Sequence, residues 1–149
     1  MIRYCNNNHD IISLWADVFG DSEEEILYFI KNLAHGKCLG YFENNKLVSM
    51  FFLVDCCINH KNYKYIYAAC TYKEYEGRGF MTKLIEYAYK NDSSLCLIPA
   101  NESLIKFYKK RGFNKSSEID SLKFDELDDI KEYLFEGFEL KDPIVMVKE

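Results

Sequence analysis

Tyr65-Ile-Tyr-Ala-Ala-Cys-Thr-Tyr-Lys-Glu-Tyr-Glu-Gly-Arg-Gly-Phe-Met-Thr-Lys-Leu-Ile-Glu-Tyr-Ala-Tyr89 reads as a strand, a glycine turn and a helix in succession. The apolar, β-prone run ends at Thr71, and Gly77 and Gly79 flank Arg78. A helical spacing then begins with Phe80, Leu84, Ile85, Tyr87 and Ala88. A turn of this kind has two readings. The free N–H groups at a helix start, with the helix dipole behind them, suit an anion such as a phosphate. Glycine lets the backbone approach such a group closely. The same pair of glycines also fits a plain, tight strand-to-helix connection. Two better-known phosphate loops each lack a signature residue, which weighs against a phosphate-loop nucleotide binder. No lysine follows Gly79, as a Walker loop requires, and Thr82 stands where a dinucleotide fingerprint has its third glycine.

Working outward, Met1–Cys5 reads as a short strand and Asp10–Phe19 as a helix stopped by Gly20. Asp21 followed by Glu24 resembles a capping box for a second helix, which carries Ile26, Leu27, Phe29, Ile30 and Leu33 and ends at Gly36. Cys38–Phe42 and Lys46–Ile58 read as strands joined by a hairpin turn at Asn44-Asn45. Tyr63–Thr71 is the next strand, and the helix after the glycine turn runs to Lys90. Ser94–Ile98 reads as a short buried strand closed by Pro99, and a helix from Asn101 to Arg111 stops at Gly112. Asp125–Phe135 is predicted helical and Pro143–Val147 is predicted to be a closing strand. This order describes a mixed sheet with helices on both faces rather than a doubly wound parallel sheet.

The 149 residues suit one domain, spanning 1–149. A net charge of −5 weighs against nucleic acid as a partner. No apolar run nears the ~20 residues that cross a membrane, and the first residues lack a signal-peptide plan, so the cytoplasm is expected. The six cysteines form no C-x-x-C pair and lie largely in apolar segments. Reduced, buried thiols and no metal site are the expectation. His9, His35 and His60 are scattered and read as surface or capping residues.

A second stretch adds specificity. Leu95-Cys-Leu-Ile-Pro-Ala-Asn-Glu-Ser-Leu-Ile-Lys-Phe-Tyr-Lys-Lys-Arg-Gly-Phe113 is a strand, a helix and a stop. Together the two stretches resemble the GNAT superfamily of acetyl-CoA-dependent N-acetyltransferases. That family's motif is Gln/Arg-x-x-Gly-x-Gly/Ala, within a phrase like Pro-Glu-Tyr-Arg-Gly-Lys-Gly. Here the phrase is Lys73-Glu-Tyr-Glu-Gly-Arg-Gly79, so the motif positions fall on Glu76, Gly79 and Met81. Only Gly79 matches strictly. The later family motif appears as Asn101, Tyr108, Gly112 and Phe113.

The resemblance implies an α/β fold of the α+β kind. Its sheet would be mixed and mostly antiparallel, of six to seven strands, with splayed parallel central strands and flanking helices. It implies acetyl-CoA as co-substrate. The pantetheine arm would pair along Ala69, Cys70 and Thr71, in the manner of an added strand. The pyrophosphate would rest on the backbone of Gly77, Arg78, Gly79, Phe80, Met81 and Thr82, with the Arg78 charge either helping or simply solvated. Asn101 would contact the cofactor, cap its helix, or do both. Tyr108 would protonate the departing CoA thiolate; otherwise it packs its ring and wets its hydroxyl.

Two departures stand out. Glu76 places a carboxylate where the family has Gln or Arg. No carboxylate lies between Tyr63 and Thr71, where some members carry a general base; the matching position is Tyr65. A water chain, Tyr65, Tyr67 or a more distant carboxylate are the candidates, and Cys70 as an acyl-bearing nucleophile is a further reading. The expected reaction is attack of an amine, on a small molecule or a protein, on acetyl-CoA. The acidic Asp17, Asp21, Glu23, Glu24 and Glu25 of the two early helices suit a cationic amine, or merely favour helix starts and solubility. The alternative function is a catalytically weak CoA-binding regulatory or interaction module on the same fold. A homodimer is left open.

Overall fold

Two-residue turns with both residues in the left-handed region organise the middle of the chain. The computed structural model describes residues 1–33, 37–92, 94–124 and 143–149. Asn44 (φ 49°) and Asn45 (φ 67°) join β2 (Lys37–Glu43) to β3 (Lys46–Ile58). Asn59 (φ 50°) and His60 (φ 69°) join β3 to β4 (Lys61–Thr71). Such primed turns match the twist of paired strands. The first was expected from its asparagines. The second carries a histidine, a weaker turn signal, and β4 therefore starts two residues earlier than predicted.

The remaining strands are β1 (Ile2–Tyr4), β5 (Leu95–Leu97), β6 (Lys115–Ser117), β7 (Leu122–Phe124) and β8 (Val145–Lys148). The sheet runs β1-β2-β3-β4-β5-β8-β6, with β7 paired to β3. The pairings β1/β2, β2/β3, β3/β7, β5/β8 and β6/β8 are antiparallel, and β4/β5 is parallel. This is the mixed, mostly antiparallel sheet that was expected, with a parallel pair at its centre and helices flanking it. Among the described residues it has eight strands where six to seven were expected, because β6 and β7 span three residues each and show no readable alternation.

Packing divides the chain into two compact units, residues 1–54 with 66–87 and residues 55–65 with 88–149, and β3 and β4 each run from one into the other. In the first unit, α1 (Asn8–Phe19) buries Ile11, Leu14 and Trp15. Trp15 packs edge-on to Phe29 (5.3 Å) and Phe52 (5.9 Å), and Phe29 stacks on Tyr67 at 4.6 Å. β3 is buried along nearly all its length, so both its faces are covered. In the second unit, Leu95–Leu97 and Val145–Val147 are buried together with Phe113 and Leu122.

The start of α2 (Glu23–Tyr28) corrects the predicted capping box. Ser22 is the N-cap: its hydroxyl accepts from the Glu25 N–H (3.2 Å), and the Glu25 carboxylate accepts from the Ser22 N–H (3.3 Å). Asp21 is engaged elsewhere, accepting the Trp15 indole N–H at 2.8 Å. The helix also changes winding, since Phe29–Leu33 forms a π turn. Its predicted stop at Gly36 and the predicted helix 125–135 lie outside the described residues.

All six cysteines are free thiols, and five are buried. Among the described residues no three His, Cys, Asp or Glu side chains converge as metal ligands, and no helix is long and apolar enough to cross a membrane.

Candidate functional site

The first unit holds the end of β4, the glycine turn and the start of α3 (Phe80–Asp92). Ala68 takes a φ of +56° inside β4, a left-handed residue that interrupts the strand's alternation in the manner of a bulge. No sequence signal marked it, because alanine is not the residue such a backbone favours. Ala69, Cys70 and Thr71 follow. Cys70 is buried, and burial pushes its thiol well above the usual range, so it stays neutral and is a poor nucleophile. The Thr71 hydroxyl pairs with that of the fully buried Ser49 at 2.7 Å, and the Tyr72 N–H donates to the Val48 carbonyl (3.1 Å). The end of β4 is therefore clamped to β3.

A short 3₁₀ turn (Lys73–Tyr75) then leads into the glycines. Gly77 (φ 76°) and Gly79 (φ 80°) are both left-handed, and a Cβ on either would meet nothing within 4 Å. Glycine is needed here for the backbone angle, and the space outside it is open to an approaching group. Gly79 is the N-cap of α3 and has no side chain with which to cap it. The first intrahelical bond runs from Lys83 N–H to the Gly79 carbonyl at 3.0 Å. The N–H groups of Phe80 and Met81 precede it and have no intrahelical acceptor. Phe80 stacks on Tyr41 at 4.2 Å, while Leu84, Ile85 and Ala88 bury the inner helix face, so this N-terminus is rigidly seated. The residues fit an anion-binding cradle. Arg78 leans back on its own turn, donating to the Glu74 carbonyl (3.2 Å) with its guanidinium 5.0 Å from the Tyr75 ring centre.

The second unit holds β5, Asn101 and α4 (Glu102–Lys109). The parallel ladder of β4 and β5 consists of Lys64↔Leu95 and Tyr65↔Cys96. At the end of β5, the buried Tyr65 hydroxyl accepts the Ile98 N–H at 3.1 Å. Asn101 caps α4, its side chain accepting the Leu104 N–H at 2.9 Å, so one of its two predicted roles is present. The helix ends sooner than Arg111: the Arg111 N–H turns back to the Tyr108 carbonyl (3.0 Å), and Gly112 reverses the chain at φ 95°. Tyr108 is buried, with its ring edge-on to Phe107 (5.1 Å) and Phe113 (5.4 Å). Burial pushes the phenol up to about 12, slightly opposed by the nearby Arg111 charge.

The predicted residues thus fall into two local groups. Ala69–Thr71 and Gly77–Thr82 share one strand–turn–helix of the first unit. Asn101 and Tyr108 share one helix of the second.

A family model of the acetyltransferase (GNAT) domain matches residues 6–116. The chain belongs to the GNAT acetyltransferases. No curated protein sequence matches it. Its fold recurs in several solved structures. A histone acetyltransferase HPA2 and related acetyltransferase from Corynebacterium glutamicum superposes with a TM-score of 0.70 at 10% identity, covering 99% of this chain and 94% of the other. The Bacillus subtilis N-acetyltransferase YlbP, solved in complex with coenzyme A, gives 0.62 at 15% identity, covering 100% and 99%. A conserved protein of unknown function from Enterococcus faecalis gives 0.60 at 20% identity over 75% of this chain. This GNAT chain spans only 31% of the length of that Enterococcus protein.

Proposed function

We propose that this GNAT domain transfers the acetyl group of acetyl-CoA to a primary amine. The observation that carries the reading is the start of α3: two left-handed glycines, open space outside them and the Phe80 and Met81 N–H groups with no intrahelical acceptor. That the B. subtilis relative was solved with coenzyme A points to the same ligand. The backbone from Gly77 to Thr82 would hold the pyrophosphate, and Ala69–Thr71 would pair with the pantetheine arm. Acetyl-CoA supplies the activated thioester. A bound amine loses its proton and attacks, and Tyr108 gives its proton to the departing sulfur.

The burial of Tyr108 acts in two directions. A phenol near 12 stays protonated at neutral pH, as an acid must. Donation to a thiolate of ordinary basicity (~8.5) would then be uphill. The same dry surroundings raise the basicity of a thiolate, which narrows that gap. Tyr65 is a poor candidate for the base, because its oxygen already accepts the Ile98 N–H. The acceptor amine is proposed to approach near α1 and α2, where Asp17, Glu23 and Glu24 would attract a cation. Asp21 and Glu25 are committed to Trp15 and Ser22.

Free thiol released from acetyl-CoA in the presence of spermidine, glucosamine or Nα-acetyl-lysine amide tests the reading. At least one amine should accelerate release, and Tyr108→Phe should lower it by about 10²-fold. Thermal stabilisation by CoA, with no release in any mixture and no effect of Tyr108→Phe, would instead establish the non-catalytic CoA-binding module. Glu76 beside the glycine turn, and the lack of any carboxylate between Tyr63 and Thr71, favour that second reading.

A further inference from the structure

We propose that Tyr65 is a positioning residue for the transfer reaction: its hydroxyl anchors the end of β5 and thereby fixes where α4 presents Tyr108. The inference rests on the acetyl-transfer reading above. Its observation is the 3.1 Å bond from the Ile98 N–H to the Tyr65 hydroxyl. The β4–β5 ladder covers two residue pairs, after which β5 has lost its strand partner on that side. Ile98 is buried, so its N–H requires an acceptor. Pro99 follows and has no N–H of its own. Ile98 therefore offers the last strand-end donor before the chain turns into Ala100 and the Asn101 cap.

A side-chain oxygen here stands in for the carbonyl of a continuing strand. The phenol is well held for that task. Tyr65 is 2% exposed, and its ring sits edge-on to Phe124 of β7 at 5.4 Å. β7 in turn is registered on β3 through Cys56↔Phe124. Two residues separate Ile98 from Asn101, one of them the stiff Pro99. A shift at Ile98 is thus carried into the start of α4, an eight-residue helix with Tyr108 in its last turn. Tyr65 occupies the position where some GNAT members have a carboxylate base, and here it supports the acid instead.

Tyr65→Phe keeps the ring and removes the acceptor. Thiol release from acetyl-CoA, with the best amine of the panel, should show kcat lowered about tenfold and KM for acetyl-CoA changed less than twofold. In a Tyr108→Phe background the same change should cost less than twofold, because no acid remains to be positioned. An equal loss in both backgrounds, or no loss in the wild-type background, overturns the proposal. Amide exchange gives a second readout that needs no turnover. The Ile98 amide should exchange at least tenfold faster in Tyr65→Phe while Leu122–Phe124 keep their protection. Unchanged Ile98 protection overturns the anchor. Should wild type release no thiol with any amine, the acetyl-transfer reading falls, and the exchange rate alone then decides whether Tyr65 holds Ile98.

Discussion

Gly112 is held by its backbone angle. Its φ of +95° is one that L side chains rarely adopt, and a Cβ there would sit 2.6 Å from the Lys148 Nζ. That ammonium is in place because it donates to the Arg111 carbonyl at 2.6 Å and lies 4.6 Å from the Tyr89 ring centre. Gly112→Ala should therefore cost about 1–3 kcal/mol. A thermal melt should fall by roughly 2–10 °C, and an unchanged melt would mean the turn relaxes freely. The motif glycine at the end of α4 is a backbone requirement in this fold. Glu76 is the opposite case, an exposed residue one step before Gly77. Its carboxylate disfavours an anion at the α3 start. Glu76→Arg should tighten CoA binding about three- to tenfold at low salt, with the gain shrinking as salt rises. Calorimetric titration at two ionic strengths reads both effects, and equal affinities would place the side chain away from the phosphates.

At the scale of elements, legibility followed the strength of local signals. The strand–glycine–helix stretch was readable because β-prone residues, left-handed glycines and a helical apolar face agree over consecutive residues. The Asn44-Asn45 turn was readable for the same reason. Ala68 was not, since its left-handed backbone is imposed by the sheet against the preference of alanine. The capping box was displaced by one residue because Asp21 binds the Trp15 indole, a tertiary contact with no trace in local spacing. Tyr108 was found through its motif, but its burial and raised phenol arise from Phe107, Phe113 and the rest of its surroundings. Asn101 shows how a cap and a ligand contact can be separated. Asn101→Ala should lose about 1 kcal/mol of stability with the cap. Asn101→Asp keeps a capping oxygen but loses the amide donor. It should melt within about 1 °C of wild type and bind CoA at least threefold more weakly. Full CoA affinity in Asn101→Asp would confine Asn101 to capping.

At the scale of the whole chain, pH dependence should report on residues that close the second unit. The Glu149 carboxylate accepts from the Tyr63 hydroxyl and from Lys115 (2.9 Å), with Lys61 at 3.4 Å. The Tyr63 hydrogen bond first, and then Lys115, lower its pKa from 4.5 to about 2. The folded state thus binds this proton less readily than the unfolded chain does. Its stabilising effect is complete above about pH 4.5 and fades as the pH falls toward 2. Tyr108 acts at the other end with the opposite sign. Burial raises it from 10 to about 12, so the folded state holds that proton more tightly, and stability falls as the pH rises from 10 through 12. Denaturant melts across the pH range should show both limbs. Glu149→Gln should flatten the acid limb between about pH 4.5 and 2, and Tyr108→Phe should make the alkaline limb shallower, a limb to which the raised Tyr63 and Tyr72 phenols and the buried thiols also contribute. An acid limb that keeps its slope in Glu149→Gln would mean that other carboxylates govern acid unfolding and that the closing cluster at Tyr63 adds nothing to it.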